Sequence, residues 1–275
     1  MLLPIDFAFT QNNLQDFIDC PRRFQLKYVQ HITWPAPISE PVEEQNRLIQ
    51  LGSQFHRMVQ QYYLGIPENK ISRRIEDADL QSWWDAFLSQ PPSNLPVNRK
   101  PEIYLSMPFE GYRLAAKIDL LAVEKNTRAV IVDWKTSHKP PRMANFLKRI
   151  QSLVYPYLVI NAGNALNEFK LFKPAQVSMI YWFPAFPEKS IPLTFDQTWL
   201  EATHNQLTRL VSEIKQMNLE IYPLTSNPEK CRFCRYRSLC ERGISAGNLD
   251  DEEDDIEQSE TALDINFEEI QGIAF

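Results

Sequence analysis

The chain has 275 residues, of which 44% are hydrophobic and 23% are charged, the composition of a globular protein with enough material for one or two domains. No apolar run approaches the ~20 residues of a membrane-spanning helix, and the first residues have neither the basic nor the apolar region of a secretory signal. We therefore expect a cytoplasmic protein that has no membrane contact and keeps its thiols reduced.

The formal net charge of −6 is distributed unevenly along the chain. Residues 243–275 contain eleven Asp and Glu and no Lys or Arg, which leaves 29 basic and 24 acidic residues in 1–242. We expect 1–242 to be one domain whose mildly basic surface suits a polyanionic partner, and 243–275 to be an acidic, disordered tail. A tail that folds back over a basic groove and competes with that partner is the alternative.

Helices are predicted in the first part of the chain. Thr10 is suited to be the N-cap of a helix that ends or kinks at Cys20–Pro21. Residues 34–41 carry three prolines and are expected to be a linker. An apolar stripe then predicts a long helix from Glu43 to Leu64, with His56 beside the stripe.

The middle and C-terminal parts alternate between strand and helix patterns. Strands are predicted over Glu102–Met107, Leu114–Val123, Ala129–Lys135 and Val177–Phe183, and helices over 76–89, Met143–Tyr155 and Phe195–Met217. A turn at 124–127 joins the second and third strands in a hairpin. This alternation favours an α/β fold in which helices flank a central mixed sheet.

The hairpin places acidic and basic side chains at one end. Asp119 and Asp133 lie on opposite sides of the turn and are expected within one residue of facing each other. Because side chains alternate along a strand, Asp133 and Lys135 share a face and Trp134 points to the other. Two carboxylates beside an ammonium group suit a hard cation such as Mg²⁺ that assists phosphodiester cleavage. Exposed strand-end charges in ordinary ion pairs are the simpler alternative.

Four further positions could belong to such a site. His56 is either a ligand of the same cation or a core histidine. Glu102 is either a further metal-binding or water-binding group or the start of a strand. Gln151 and Tyr155 lie one helical turn apart. They could contact a phosphate or Lys135, or they could lie on a helix surface that packs by chance against the sheet.

Four cysteines are split between the two ends of the predicted domain. Cys20 is more than two hundred residues from Cys231, Cys234 and Cys240. In a reducing compartment such a set indicates a metal centre, and four cysteines suit either Zn²⁺ or a [4Fe–4S] cluster. Unliganded thiols are the third alternative. A metal centre here would join the N- and C-terminal segments and have a structural role.

Six short motifs follow one another along the chain, namely Leu14–Phe24, Leu51–His56, Lys117–Asp119, Ile131–Thr136, Gln151-x3-Tyr155 and the terminal cysteine triplet. In this order they resemble the motifs of the PD-(D/E)XK nucleases. The resemblance is to the RecB- and AddB-like branch, which includes CRISPR-associated exonucleases and carries an iron–sulfur cluster. Each motif is short, and their order along residues 8–242 carries the resemblance.

The resemblance implies a restriction-endonuclease-like fold with a [4Fe–4S] cluster on the four cysteines. It implies that a Mg²⁺ or Mn²⁺ site is formed by Asp119, Asp133, His56 and the Trp134 carbonyl group. It further implies that Lys135 is catalytic together with the two aspartates, and that Gln151 and Tyr155 position DNA.

Three features depart from the family pattern. Ala116 stands where a glycine is frequent, and Leu120 and Leu121 stand where an arginine is common. Pro156 follows Tyr155 directly and is expected to shorten the helix. None of these changes removes a proposed metal ligand.

We therefore predict a metal-dependent deoxyribonuclease that acts on single strands or DNA ends, in DNA repair, recombination or defence. The chain has no G-x4-G-K-[ST] phosphate-binding loop, so any helicase activity would come from a partner. The alternatives are a non-catalytic DNA-end-binding subunit of a helicase–nuclease complex and a zinc-stabilised interaction subunit.

Overall fold

The computed structural model of the chain describes residues 3–34, 40–136, 139–218 and 220–243, with no description of the side chains at 40–43 and 45. Most of the predicted linker and nearly all of the predicted acidic tail lie outside the described residues. No helix in the described part combines the length and the apolar character needed to cross a membrane.

Six strands form one mixed sheet in the described part of the chain. They are β1 (Ala8–Phe9), β2 (Asn98–Phe109), β3 (Tyr112–Glu124), β4 (Arg128–Trp134), β5 (Val177–Trp182) and β6 (Ile191–Thr194). β3 pairs antiparallel with β2 and β4 and parallel with β1. β5 lies parallel to β4, and β6 pairs antiparallel with β5 at the edge.

Helices flank this sheet, which confirms the predicted mixed α/β architecture. They are α1 (Gln11–Asp19), α2 (Pro21–Phe24, continued by a π-helical turn over Gln25–Val29), α3 (Glu40–Tyr63), α4 (Glu68–Ser72), α5 (Ala78–Ser89), α6 (Met143–Leu147), α7 (Gln151–Ala162) and α8 (Gln197–Gln216). α6 and α7 belong to the crossover that the parallel step from β4 to β5 requires.

Two hydrophobic clusters bury the two faces of the sheet. The larger contains side chains of α7 and α8 together with Ala129 and Ile131 of β4. The smaller contains side chains of α3 and α5 together with Val130, Val132 and Trp134 of the same strand. Because successive side chains of β4 enter opposite clusters, the strand is apolar at every position from Ala129 to Val132.

The β2–β3 ladder is bent at one point. Ile118 packs in the larger cluster and Leu120 in the smaller, although residues two apart in a regular strand share a face. The residue between them is Asp119, and it lies opposite Glu102 in the register of the two strands. Glu102 has a φ of 53°, a left-handed conformation that is uncommon outside glycine.

The helix predicted over Met143–Tyr155 is two helices, so that prediction was wrong. The chain turns between Leu147 and Gln151, and Gln151 begins α7. Pro156 does not shorten α7, which continues to Ala162. The proline removes one backbone hydrogen bond near the start of a helix whose side chains are largely buried. β1, β6 and α4 were not predicted, because two to five residues show no clear periodicity.

Candidate active site

The β3–β4 hairpin brings Asp119 and Asp133 to the same end of the sheet. Its last paired residues are Leu120 and Val132, so the next two positions in this register are the two aspartates. This is the relation that the hairpin turn predicted. β4 ends one residue later, at Trp134.

Asp119 accepts a hydrogen bond from the next strand and lies beside the long helix α3. Its Oδ2 accepts the backbone N–H of Trp134 at 3.0 Å and lies 3.4 Å from Nδ1 of His56. The other ring nitrogen of His56, Nε2, is 2.9 Å from the carbonyl oxygen of Trp134. Asp119, His56 and the Trp134 carbonyl group, three of the groups that the resemblance implies share a cation, therefore meet in one place.

Both ring nitrogens of His56 face acceptors, so this geometry suits the imidazolium form. Burial disfavours that charge, but the nearby carboxylates, Asp119 above all and then Asp133 and Glu102, together raise the pKa of His56 from 6.5 to about 8. Burial alone would raise the pKa of Asp119, yet His56 and the Trp134 N–H hold it below its usual value. The two side chains thus stabilise each other's charged forms.

Glu102 completes a compact group of possible ligands. Among the described residues, ligand atoms of His56, Glu102 and Asp119 all lie within 4.8 Å of one another. Glu102 also forms an ion pair with Lys117. Burial and the neighbouring Asp119 raise the pKa of Glu102. The sequence left Glu102 as either a metal-binding group or a strand start, and its place beside Asp119 comes from the structure.

The sequence contains a signal for the position of Glu102 opposite Asp119, which is the dipeptide Glu110–Gly111. Phe109 pairs with Tyr112, so Glu110 and Gly111 form a two-residue hairpin turn with φ values of 51° and 83°. A turn of this kind fixes the register of the two strands. Counting back along both strands from that turn brings Glu102 opposite Asp119.

Asp133, Lys135 and Gln151 form a second, buried group. Oδ2 of Asp133 is 3.0 Å from Nζ of Lys135. Oδ1 accepts a hydrogen bond of 2.6 Å from Nε2 of Gln151, the first residue of α7. All three residues are buried. Asp133 is therefore held in place by Gln151 at the start of α7 and by Lys135. It is not a member of the compact group formed by His56, Glu102 and Asp119.

The two remaining sequence-predicted residues point elsewhere. The side chain of Trp134 packs in the smaller cluster, against Phe87 and Trp182, so only its backbone faces Asp119. Tyr155 is buried, and its hydroxyl group accepts a hydrogen bond of 3.1 Å from Gln11 of α1. The described contacts therefore place Gln151 at the site and Tyr155 one helical turn away from it.

The donor atoms suit a hard divalent cation. Carboxylate and carbonyl oxygens are the preferred ligands of Mg²⁺, and an imidazole nitrogen also suits Mn²⁺. Without a cation, Glu102 and Asp119 repel each other across the paired strands. A divalent cation between them would relieve that repulsion and would displace the proton of His56.

The four cysteines are free thiols. Burial raises the pKa of Cys231, Cys234 and Cys240, to about 11 for Cys234. Cys20, which comes from the other end of the domain, interacts electrostatically with all three. Thiols with such raised pKa values become thiolates at neutral pH when a metal centre compensates the charge.

Hydrogen bonds also join the N- and C-terminal segments around these cysteines. The indole N–H of Trp34 donates to Ser238 at 2.9 Å, and Nε of Arg235 donates to the carbonyl group of Trp34 at 3.0 Å. Gln25 donates to the Glu220 carbonyl group at 2.8 Å. The two segments are therefore in contact independently of any metal.

A family profile and two solved structures match this chain. The sequence profile of the PD-(D/E)XK nuclease superfamily matches residues 8–241. A candidate exonuclease from Eubacterium rectale has a similar structure, with a TM-score of 0.50 and 8% identity over 78% of this chain and 84% of that one. The structure of SSO0001 matches with a TM-score of 0.41 and 13% identity over 85% of each chain.

Among curated proteins, no sequence matches this chain at a significant level. Structural likeness at such low identity concerns the fold alone. The family profile, however, spans most of the chain and contains both strands that carry the aspartates. The protein belongs to the PD-(D/E)XK nuclease superfamily.

Proposed function

We propose that the protein is a metal-dependent deoxyribonuclease that works as an exonuclease on single strands or DNA ends, in DNA repair, recombination or defence. One observation carries the proposal. The possible ligands His56, Glu102 and Asp119 converge within 4.8 Å of one another, beside a buried Asp133–Lys135 pair. Membership of the nuclease superfamily supports the same activity.

Asp119, His56 and the Trp134 carbonyl group, together with the adjacent carboxylates of Glu102 and Asp133, would hold Mg²⁺ or Mn²⁺. The cation, when bound, polarises a phosphoryl group and lowers the pKa of a water molecule. Nζ of Lys135, 3.0 Å from Asp133, would orient the attacking water or balance charge on the phosphate. Gln151 fixes the orientation of Asp133 through its hydrogen bond, so this pair is preorganised.

The proposed role of Gln151 and Tyr155 is to position DNA. Gln151 already reaches Asp133, so a phosphate bound there would lie next to the reacting groups. Tyr155 acts through α1, because its hydroxyl group is hydrogen-bonded to Gln11. Any unwinding of a duplex would come from a partner helicase.

We further propose that Cys20, Cys231, Cys234 and Cys240 bind a [4Fe–4S] cluster. Zinc is the alternative, but zinc sites usually pair one C-x2-C motif with another close pair. Here Cys20 is more than two hundred residues from the other three cysteines. This split ligand set and the resemblance to the iron–sulfur branch of the nucleases favour the cluster.

Digestion of end-labelled DNA tests the activity. We expect cleavage with Mg²⁺ or Mn²⁺ and none with EDTA. Asp133→Asn keeps the size of the side chain and should reduce the rate by about a hundredfold or more, because it removes charge stabilisation worth several kcal/mol. A rate unchanged by Asp133→Asn would refute the assignment. Tight DNA binding with no cleavage by the wild type would favour the non-catalytic DNA-end-binding subunit.

A further inference from the structure

The segment between β4 and α8 begins with an unusually basic stretch. From Trp134 to Asn167 the chain has five Lys and Arg and no Asp or Glu, although 35 acidic residues occur in the whole protein. Four of these cations lie between Lys135 and Gln151, namely Lys139, Arg142, Lys148 and Arg149. Lys135 and Gln151, which bound these four cations in sequence, both contact Asp133. The basic stretch from Lys135 to Gln151 is therefore attached to the candidate active site at both ends.

α6 lies within this stretch and exposes two large apolar side chains. Met143 is 50% exposed and Leu147 is 53% exposed, and their spacing of four residues places them on one side of the helix. Arg142 and Lys148, the residues on either side of this pair in sequence, are also exposed. We call the surface of these four side chains the α6 face. Single exposed apolar residues are common. A pair of them between two cations, beside the candidate active site, instead suits a ligand that has both apolar surfaces and negative charges.

The opposite side of α6 is firmly attached to the sheet. Phe146 is buried, with ring centroids 4.8 Å from Tyr181 and 5.2 Å from Phe183. The hydroxyl group of Ser152 donates to the Phe146 carbonyl group at 2.6 Å. The guanidinium of Arg149 lies over the Phe146 ring at 4.5 Å. These contacts fix the orientation of the helix, so the α6 face is a preformed surface.

We propose that the α6 face binds a single strand of DNA where it enters the active site. Unpaired bases offer flat apolar faces to Met143 and Leu147, whereas a duplex keeps these faces stacked inside. The phosphates on either side of these bases would lie near Arg142 and Lys148, whose positive charges would attract them. That the ligand is DNA rests on the proposed function. The inference adds that this surface selects single-stranded DNA over duplex DNA.

Binding in the absence of cleavage tests the inference. The affinity of a fluorescent oligothymidylate and of a blunt duplex is measured by anisotropy in EDTA, for the wild type, Met143→Ser/Leu147→Ser and Arg142→Gln/Lys148→Gln. Unfolding midpoints show whether each variant is folded. Two matched controls lie near the 124–127 turn, where Lys170 contacts Asn126: Phe169→Ser/Leu171→Ser removes two exposed apolar side chains, and Lys170→Gln/Lys173→Gln removes two exposed cations. This turn is roughly 23 Å along β4 from Asp133.

The two α6 variants should differ in what they lose. Met143→Ser/Leu147→Ser should weaken single-strand binding about tenfold and leave duplex binding within about twofold, because only unpaired bases contact apolar side chains. Arg142→Gln/Lys148→Gln should lower the slope of log affinity against log salt by about 1.4 for single strands, since each phosphate contact contributes about 0.7. The distal variants should bind as the wild type does.

Wild-type single-strand affinity in folded Met143→Ser/Leu147→Ser would overturn the inference, and it is the result expected if the α6 face binds a partner protein. Equal losses for single strands and duplex, or equal losses in the distal controls, would also overturn it. If the wild type binds single strands in this pattern but cleaves nothing in Mg²⁺ or Mn²⁺, the proposed function fails and the inference stands. If the wild type cleaves while both α6 variants bind normally, the inference alone fails.

Discussion

Three carboxylates lie at the active site, and each has a different cationic neighbour. The pairs are Glu102 with Lys117, Asp119 with His56, and Asp133 with Lys135. A buried carboxylate stays ionised only where an opposite charge or a hydrogen bond compensates the lost solvation. These cationic neighbours therefore favour the ionised carboxylates in a site that is partly closed to water, and they oppose the burial that raises the pKa of Glu102.

Glu102→Gln tests whether the carboxylate located by the structure contributes to cation binding. The substitution preserves the size of the side chain but removes its charge, so we expect the Mn²⁺ concentration for half-maximal cleavage to rise by about tenfold or more. Glu124→Gln is the matched control, because Glu124 is exposed at the end of β3, the strand that pairs with β2. The measurement is a Mn²⁺ titration of the cleavage rate. An unchanged titration curve for Glu102→Gln would exclude Glu102 from the site.

The pKa of His56 gives the metal-free protein a specific pH dependence. The pKa rises from 6.5 to about 8 on folding, so protonated His56 stabilises the fold fully below about pH 6.5, and this contribution disappears as the pH rises through 8. Its size is about 2 kcal/mol at most. We expect the free energy of unfolding, measured with urea and EDTA, to fall more between pH 6 and pH 9 in the wild type than in His56→Gln. Equal falls in the two proteins would contradict the assigned charge.

The periodicity of strands and helices predicted the positions of some residues of the candidate site and missed those of others. Alternation along a strand sufficed to place Asp133 and Lys135 on one face, and the structure pairs them at 3.0 Å. The position of Glu102 depends on a strand register set by the turn at Glu110 and Gly111, which the composition of the strand does not indicate. Tyr155 faces α1, a tertiary contact that helical spacing alone does not determine.

At the scale of elements, α3 approaches the end of β4 closely at Gly52. A Cβ atom at this position would lie 2.8 Å from Oγ1 of Thr136, the residue after Lys135. Helix α3 also carries His56 one turn further on. The absence of a side chain at Gly52 therefore lets the helix carrying a proposed ligand pack against the residue that follows Lys135, the proposed catalytic lysine.

Gly52→Ala should disturb this contact, although alanine favours a helix by about 1 kcal/mol over glycine. Overpacking typically costs about 1–3 kcal/mol, so we expect lower stability and slower cleavage. Thr136→Ala removes the clashing oxygen, and the double variant should recover most of both losses. Urea denaturation and initial cleavage rates measure the effects. A double variant as impaired as Gly52→Ala would show that the contact with Thr136 is not the cause.

Long elements were predictable from sequence and short ones were not. α3, α5, α8 and the strands β2 to β5 follow clear apolar patterns, and their predicted bounds fall within a few residues of those observed. The break between α6 and α7 was missed because both helices carry apolar residues across it. Buried packing on the sheet decides that break, and it also lets α7 continue through Pro156.

At the scale of the whole molecule, the two ends of the domain are joined in two ways. Hydrogen bonds connect residues 25–34 with residues 220–238, and the four cysteines lie among these contacts. A cluster on these cysteines would close a ring of more than two hundred residues, which lowers the entropy of the unfolded chain. The contacts between the two ends help to hold α1 in place, and Gln11 of α1 donates a hydrogen bond to Tyr155.

Cys234→Ser tests the proposed iron–sulfur cluster. We expect the purified wild type to be brown and to contain iron and acid-labile sulfide, and the variant to lose most of both. The sheet should persist, because the hydrogen bonds between the segments do not involve Cys234, so circular dichroism should change little while the unfolding midpoint falls. A colourless wild type with stoichiometric zinc would overturn the iron–sulfur proposal.

The most direct test of the active site compares the wild type with Asp119→Asn. Asp119 lies at the centre of the site, between His56 and the backbone of Trp134. The measurement is the initial rate of Mn²⁺-dependent release of nucleotides from an end-labelled single strand. The account predicts EDTA-sensitive cleavage by the wild type and a loss of about a hundredfold or more in the variant. Equal rates for the two proteins, or no cleavage by the wild type, would contradict it.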